Sequence, residues 1–389
     1  MAGHRALPPA TRRSQSRSVV SSEQAGQLLE VHEAAGAIER VEAHLAAAGF
    51  FPADGAAASG RQADVYLGYG LSESLRRSDL PARPEPVALP LAACRIREAE
   101  TDRETPRTAG TWRVGTWETT WDAAGYAAAV QAAREAIAAG EVYQVNLVQH
   151  LSAPAEGDQV EVATGVSRAL ARFRPLHGRP FHGSDWSIVS ASPELFLARR
   201  GDLLWTMPIK GTRPRGGAAE LRASAKDAAE HVMIVDLERN DLGAICQPGS
   251  VRWPVLMAVR SMAGVEHLVS RVQGHIREGI SWTAAMRAMF PGGSVTGAPK
   301  VAALDHINAL EPVGRGAAMG ALGTIWPNGD FELALTIRTF AISAGRIHLW
   351  VGGGVVWDSD PSSEVEESWT KARPLLEAIR TATRDPLAS

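Results

Sequence analysis

Hydrophobic and polar positions alternate along this chain in two rhythms. Leu28, Leu29, Val31, Ile38, Val41 and Leu45 recur at helical spacing and predict a helix within 22–49. Tyr126, Val130, Ala133 and Ile137 form one stripe of a helix over 122–139, with Gly140 where a C-terminal cap belongs. A longer helix over 221–242 carries Val232-Met-Ile-Val235, apolar nearly all round, which predicts burial at its middle. The last helix opens at Asp360-Pro361, an N-cap followed by a first-turn proline. Elsewhere the period drops to two. Strands are predicted over 65–69, 142–147 and 186–191, and a hairpin turns at Arg200-Gly-Asp202 to return over 203–207. A second hairpin joins 331–342 to 346–357 through Ser343-Ala-Gly345. The stretch 81–110, rich in Pro, Arg, Glu and Thr, reads as loop or linker; it divides an N-terminal part, 25–110, from a core, 111–389.

Composition narrows the function classes. The 389 residues are 45% hydrophobic, enough for a large core, and the net charge of −3 leaves no basic footprint for nucleic acid. No apolar run approaches a membrane span, so neither nucleic acid nor membrane is an expected partner. Two cysteines, Cys94 and Cys246, make no disulfide framework and suit a reducing compartment, the cytoplasm. The start holds Arg5, Arg12, Arg13 and Arg17 without an acid; 1–24 reads as a disordered tail, with a transit peptide as the alternative.

The chemistry gathers around Met207-Pro-Ile-Lys-Gly-Thr212. Lys210 follows an apolar run (Leu203, Leu204, Trp205) and stands between two backbone punctuators. Either it reaches solvent from a strand end, or the strand carries it inside, where desolvation lowers its pKa and frees a nucleophilic amine. The turn at Gly201 folds Glu194 back to within a residue or two of the row holding Pro208 to Lys210. That is an ordinary cross-strand ion pair or an acid beside a nucleophile. Gln144 and Asn146 share one strand face, which is solvated or lines a polar cavity. Asp227 and Glu230 share a helix face, as do Glu364, Glu367 and Lys371 on the last helix. Such faces are usually salt-bridged to solvent, but carboxylates on two helices also suit Mg2+, which takes oxygen ligands. The loop from Phe290 to Lys300 is glycine-rich and enters a helix near Pro299; it is a turn or an anion cradle, without P-loop spacing. Arg338 falls roughly opposite Gly352-Gly-Gly354 in the second hairpin, and a guanidinium facing bare amides fits a carboxylate.

Taken together, these stretches resemble the chorismate-utilising enzymes, the family of anthranilate synthase component I. The carrying motifs are Glu141-Val-Tyr-Gln-Val-Asn-Leu147, Ala191-Ser-Pro-Glu-Leu-Phe196, Pro208-Ile-Lys-Gly-Thr212, Ala225-Lys-Asp-Ala-Ala-Glu230 with its continuation to Leu237, Phe290 to Lys300, Gly352-Gly-Gly354 and Glu364-Val-Glu-Glu-Ser-Trp-Thr-Lys371. They run from Tyr126 to the end, about two thirds of the chain. No tryptophan-binding regulatory segment is evident before about residue 110.

The resemblance implies an α+β fold: two large antiparallel β-sheets in a sandwich with outer helices. It implies chorismate as substrate and Mg2+ as cofactor, with Glu230 and Glu367 as ligands and Asp227 and Glu364 supporting the metal's waters. Arg338, Lys371 and the backbone of Gly352, Gly353 and Gly354 are then expected to hold a substrate carboxylate. Gly211, Thr212, Thr296 and His267 would line the site, and Gln144 and Asn146 a polar cavity for ammonia. Water-adding members carry lysine where this chain has Gln144, so water is not the expected nucleophile. Anthranilate-forming members carry alanine where this chain has Lys210. Pro-Ile-Lys-Gly-Thr resembles the branch that makes 4-amino-4-deoxychorismate, a transaminase-type step toward p-aminobenzoate and folate. On that branch Glu194 is the general acid and Lys210 a covalent nucleophile. The other readings are anthranilate formation with an incidental Lys210, and a non-catalytic chorismate-binding subunit. Neither cysteine sits in a Gly-x-Cys-x-Gly setting, so a separate glutamine amidotransferase subunit is expected to supply ammonia, and no fused lyase domain is expected.

Overall fold

Residues 28–52, 60–99, 111–262 and 265–384 are described by the computed structural model. The expected tail, 1–24, and residues 100–110 of the expected linker lie outside them. Two antiparallel sheets organise the rest. The larger has ten strands in the spatial order Leu28–Val31, Ala92–Glu98, Arg61–Leu67, Ala321–Ile325, Phe331–Leu335, Leu195–Arg200, Leu203–Met207, Val265–His275 and Ile209–Pro214, with Arg252–Met262 also paired to Val265–His275. The smaller has eight, built on Gln144–Glu156 against Arg346–Val355, followed by Thr339–Ser343 and Trp186–Ser190. Between the sheets one core takes Tyr66, Leu197, Leu322 and Phe331 from the larger and Val148, Trp186, Ile188 and Trp350 from the smaller. Helices Gln159–Leu170 and Pro361–Arg384 bury Val162, Val166, Leu375 and Ile379 in a second cluster with Leu151, Phe340 and Leu349 of the smaller sheet. The expected α+β sandwich is the observed fold.

Local chemistry starts and stops the elements. Asp122 accepts from Gly125 N at 2.7 Å and caps helix Ala123–Ala138, whose Tyr126 hydroxyl donates to Leu147 O at 3.0 Å. Trp186 is buried by aromatic neighbours, Phe181 and Tyr66, and its indole N–H donates to Glu30 at 2.9 Å.

Several expectations need correction. Leu28 to Val31 are a strand, and the first described helix is Ala37–Ala47; four apolar-rich residues cannot be told from a helical stripe by spacing alone. The strand expected at 65–69 is Arg61–Leu67, and Tyr69 opens a 3-10 turn. Within the expected linker, Ala92–Glu98 is a strand in the middle of the N-terminal end of the larger sheet. The helix expected over 221–242 is two, Ala218–Ala223 and Ala225–Gly243, because extended Ser224 breaks the first and caps the second through Asp227 N. Val232 is 51% exposed, so that helix is not buried all round. Phe331–Leu335 and Thr339–Ser343 belong to different sheets, and Arg338 lies where the chain crosses between them, at φ 50°. The hairpin Arg252–Met262 with Val265–His275 was not anticipated.

One buried ion pair ties the sandwich to the segment that carries the chemistry. Glu311 and Arg315, 2% and 3% exposed, meet at 2.7 Å. Glu311 also accepts Val148 N, while Arg315 donates to Val295 O and Asn146 O and lies over the Tyr69 ring. Removing one partner leaves an uncompensated buried charge. Glu311→Ala should therefore lose about 3–5 kcal/mol in equilibrium urea unfolding; a loss under about 1 kcal/mol would show that the pair is dispensable.

Candidate active site

The hairpin about Gly201 brings Met207 opposite Leu195, and the next residues carry the chemistry. Beyond Pro208 the chain leaves one ladder and joins another, Ile209–Pro214 against Val265–His275, with a bulge between Lys210 and Thr212. Gly211 supplies the bulge at φ 63°, and a Cβ there would stand 2.8 Å from Leu221 and 3.2 Å from the Asp227 carboxyl. A glycine in the left-handed region is what lets such a bulge re-aim its neighbour. Lys210 is half-buried and its Nζ donates to Ser294 O at 3.4 Å. Glu194 is 5% exposed; its Oε1 accepts the Ser294 hydroxyl at 2.9 Å and Ile209 N at 3.5 Å. Ser294 thus touches both the amine and the acid. Desolvation pushes the Glu194 carboxyl up, against the pull of Lys210, Ser294 and Ile209. Desolvation likewise pulls the Lys210 amine down, against Glu230 and Glu194. Both shifts favour a neutral acid beside a free amine, the pairing that an amine nucleophile and a hydroxyl leaving group require.

The acids of the last helix lie over the three glycines. Gly352, Gly353 and Gly354 pair with Val148, Leu147 and Asn146 on one edge. The ladder to Thr339–Ser343 ends at Phe340 opposite Leu349, so their other edge has no strand partner. A Cβ on Gly353 would meet Glu364 Oε2 at 3.2 Å, Glu367 Oε1 at 3.4 Å and Lys371 Nζ at 3.4 Å. Lys371 pairs with Glu367 at 2.8 Å and donates to Gly352 O at 2.8 Å. Its charge holds the Glu367 carboxyl below the usual range. Burial pushes Glu230 and Glu364 up, and Glu367 pushes both further. Asp227 takes a different place from the one expected: its carboxylate pairs with Arg213 at 3.0 Å and packs on Gly211, so it braces the lysine turn. The donor set of Glu230, Glu364 and Glu367 is all oxygen, as Mg2+ prefers, and Gly353 has no side chain to crowd Glu364 and Glu367 further. Among the described residues no three His, Cys, Asp or Glu side chains stand close enough to hold a metal as they are, so these donors would have to draw together.

The anion and amine contacts surround this centre. Arg338 is half-buried and its guanidinium makes no hydrogen bond to the described residues; its charge is felt by Glu194 and His267. The ladder between its hairpin strands ends before it, at Phe340 opposite Leu349, so no register pairs it with the glycines. His267 lies 1% exposed, with Nδ1 at 3.0 Å from both Gly211 O and Thr212 Oγ1, which places its proton there and leaves Nε2 a buried acceptor without a partner. The Thr296 hydroxyl donates to Gly292 O and accepts from Tyr69, so it shapes the loop from within. Gln144 is fully buried with neither amide atom partnered, and Asn146 Oδ1 is likewise unpaired. A buried side-chain amide left unmade costs free energy unless a ligand or water completes it. The solvated-face alternative for this strand is excluded.

Sequence reasoning missed Ser294, although it lies inside a quoted motif, because a serine in a glycine-rich loop carries no period. It also missed Lys226, which stands 3.9 Å from both Glu230 and Glu364. Glu238 is 4% exposed and pushed up to about 8 by burial, beside the Asp241–Lys300 pair.

The family model described as chorismate binding enzyme matches residues 72–377. The chain is 38% identical over 325 residues to anthranilate synthase component 1 of Streptomyces coelicolor, covering 80% of this chain and 59% of that protein. It is 37% identical over 300 residues to aminodeoxychorismate synthase component 1 of Bacillus subtilis, covering 74% and 61%. The chain thus spans about three fifths of the length of these relatives. Among solved structures, anthranilate synthase component I from Streptococcus pneumoniae superposes with a TM-score of 0.74 at 21% identity, over 94% of this chain and 95% of that one, a likeness of fold.

Two outcomes test this geometry. Gly352→Ala would set a methyl 1.8 Å from Leu147 O, which is backbone, so the ladder must part; a loss of about 3 kcal/mol or more is expected. Gly353→Ala meets only flexible side-chain ends and should cost less than about 1 kcal/mol; urea unfolding of both variants decides, and equal losses would refute the contrast. Burial also holds His150 at about 3 and His267 and His348 at about 4, below the ordinary 6.5. The unfolded chain binds those protons first. Stability from the neutral rings is complete above pH 6.5 and falls as pH drops from 6.5 toward 4. The slope reaches about 1.4 kcal/mol per pH unit for each ring. Unfolding free energies that stay flat through that window would contradict this.

Proposed function

Because the chain belongs to the chorismate binding enzyme family, we propose that it is the chorismate-aminating component of an aminodeoxychorismate synthase. The observation that carries the reading is Lys210: an amine turned inward by the Gly211 bulge, sharing Ser294 with a buried Glu194 whose carboxyl is pushed up by desolvation. The free amine attacks C2 of the chorismate ring. Both ring double bonds shift, C1=C2 to C1=C6 and C5=C6 to C4=C5, the C4–O bond breaks, and Glu194 gives its proton to the departing hydroxyl, which leaves as water. The new secondary amine loses one proton. Ammonia then attacks C4, both double bonds shift back, and the C2–N bond to Lys210 breaks; the new C4 ammonium loses one proton as the lysine nitrogen regains one. The sum is chorismate plus ammonia to 4-amino-4-deoxychorismate plus water.

The other residues bind and orient. Arg338, Lys371 and the free edge of Gly352–Gly354 offer donors to a carboxylate, and the unpaired Gln144 and Asn146 offer a place to a small donor such as ammonia. Glu230, Glu364 and Glu367 would hold Mg2+, which supplies a fixed positive charge for the ring carboxylate when bound. Ammonia would come from a separate glutamine amidotransferase, as the component 1 naming of the relatives suggests. The product would serve p-aminobenzoate and folate synthesis. Buried free thiols at Cys94 and Cys246 suit a reducing compartment, the cytoplasm, and no helix among the described residues is long and apolar enough to cross a membrane.

A second reading, anthranilate formation by direct addition of ammonia at C2, is favoured by relatives of that name at equal identity. Product analysis separates the two. With Mg2+, chorismate and ammonium, wild type should yield aminodeoxychorismate. Lys210→Ala should lose that product to below about 1% of wild type, and Glu194→Gln should lose about a hundredfold or more. Acid-quenched wild type should show by intact mass an adduct of chorismate less water, absent from Lys210→Ala. Unchanged product from Lys210→Ala, or anthranilate from wild type, would defeat the covalent reading.

A further inference from the structure

We propose that the Lys226 ammonium and a divalent cation compete for one carboxylate pair, Glu230 and Glu364, so that metal enters together with the substrate's negative charge. The inference rests on the Mg2+ reading above. Lys226 stands in the first turn of helix Ala225–Gly243. Its Nζ lies 3.9 Å from Glu230 Oε1 on its own helix and 3.9 Å from Glu364 Oε1 on the C-terminal helix. The two carboxylates are 15% and 4% exposed, while the lysine is 45% exposed. The acids therefore have little water to turn to, and the ammonium has plenty.

Mg2+ binds carboxylate oxygens at about 2.0–2.1 Å. An ammonium drawn between the same oxygens stands in that space, and two cations cannot share it. With Lys210 a free amine and Glu194 neutral, as that reading has them, the formal charges of the site are matched: Glu230, Glu364 and Glu367 against Lys226, Lys371 and Arg338. A lone Mg2+ adds uncompensated charge to a balanced cluster. Mg2+ arriving with a dicarboxylate does not. Lys226 can retreat on its flexible, readily hydrated stem, which opens the pair without unfolding either helix. Lys226 thus links two binding events, and linkage makes the effect reciprocal: metal and dicarboxylate each improve the other's affinity.

The test is calorimetric titration of Mg2+ into the full chain, without and with chorismate. Lys226→Met keeps the stem and removes the charge; Lys226→Gln repeats the comparison with a polar end. Arg222→Ala removes an equal charge from the preceding helix, Ala218–Ala223, where Arg222 is exposed and forms no ion pair with either acid among the described residues. Without chorismate, both Lys226 variants should bind Mg2+ about tenfold tighter than wild type, and Arg222→Ala within about twofold of it. Chorismate should then tighten Mg2+ binding strongly in wild type and little in the variants. Thermal unfolding in EDTA should show the Lys226 variants melting below wild type and recovering the difference with Mg2+. Unchanged or weaker Mg2+ affinity in folded variants, or an equal gain in Arg222→Ala, overturns the proposal. Should no protein bind Mg2+ under either condition, the metal reading falls and this proposal with it, while the covalent role of Lys210 keeps its own test.

Discussion

Ser294 sits where the two strongest local demands of this molecule meet. A buried carboxyl needs a donor, and a half-buried amine needs an acceptor. One residue meets both, with its hydroxyl on Glu194 and its carbonyl against Lys210. The neighbouring carbonyl of Val295 takes Arg315, which also holds the strand Gln144–Glu156 through Asn146 O. A glycine-rich turn would otherwise be free to choose among conformations. Here its polar atoms are committed on three sides, so the acid and the amine keep a fixed relation without bonding directly to each other.

The surrounding electrostatics follow from placing charged groups at a junction of two sheets and two helices. Carboxylates on separate helices are brought together by packing that each helix does for its own apolar stripe. Desolvation pushes Glu230 and Glu364 up, while Lys371 holds Glu367 down.

Much of this was legible in the sequence where short-range rules apply. The hairpin at Gly201 brought Glu194 to Ile209 and Lys210 as its turn chemistry required. The i, i+3 and i+7 spacing on the last helix put Glu364, Glu367 and Lys371 over Gly353. The capped helices began at Asp122 and after Asp360 as their residues demanded. What the sequence hid was decided by tertiary partners. Asp227 has the spacing of a ligand, but Arg213 claims it, and nothing in the local pattern announces that pairing. Arg338 looked like a strand residue because apolar neighbours on both sides belong to two different sheets. Ala92–Glu98 was hidden by its flanks of proline and arginine, since composition is averaged over a window that the strand does not fill.

The half-paired stretch Gly352–Gly354 has one more consequence. An open strand edge on a protein's surface invites another strand, and natural proteins guard against that. This one is half-buried, and the C-terminal helix leans on it: Lys371 donates to Gly352 O, and Glu364, Glu367 and Lys371 crowd Gly353. The guard here is a charged helix laid against the strand, where other proteins use a bulge or a proline within it, so a side chain at Gly353 would have to push the guard's own ends aside.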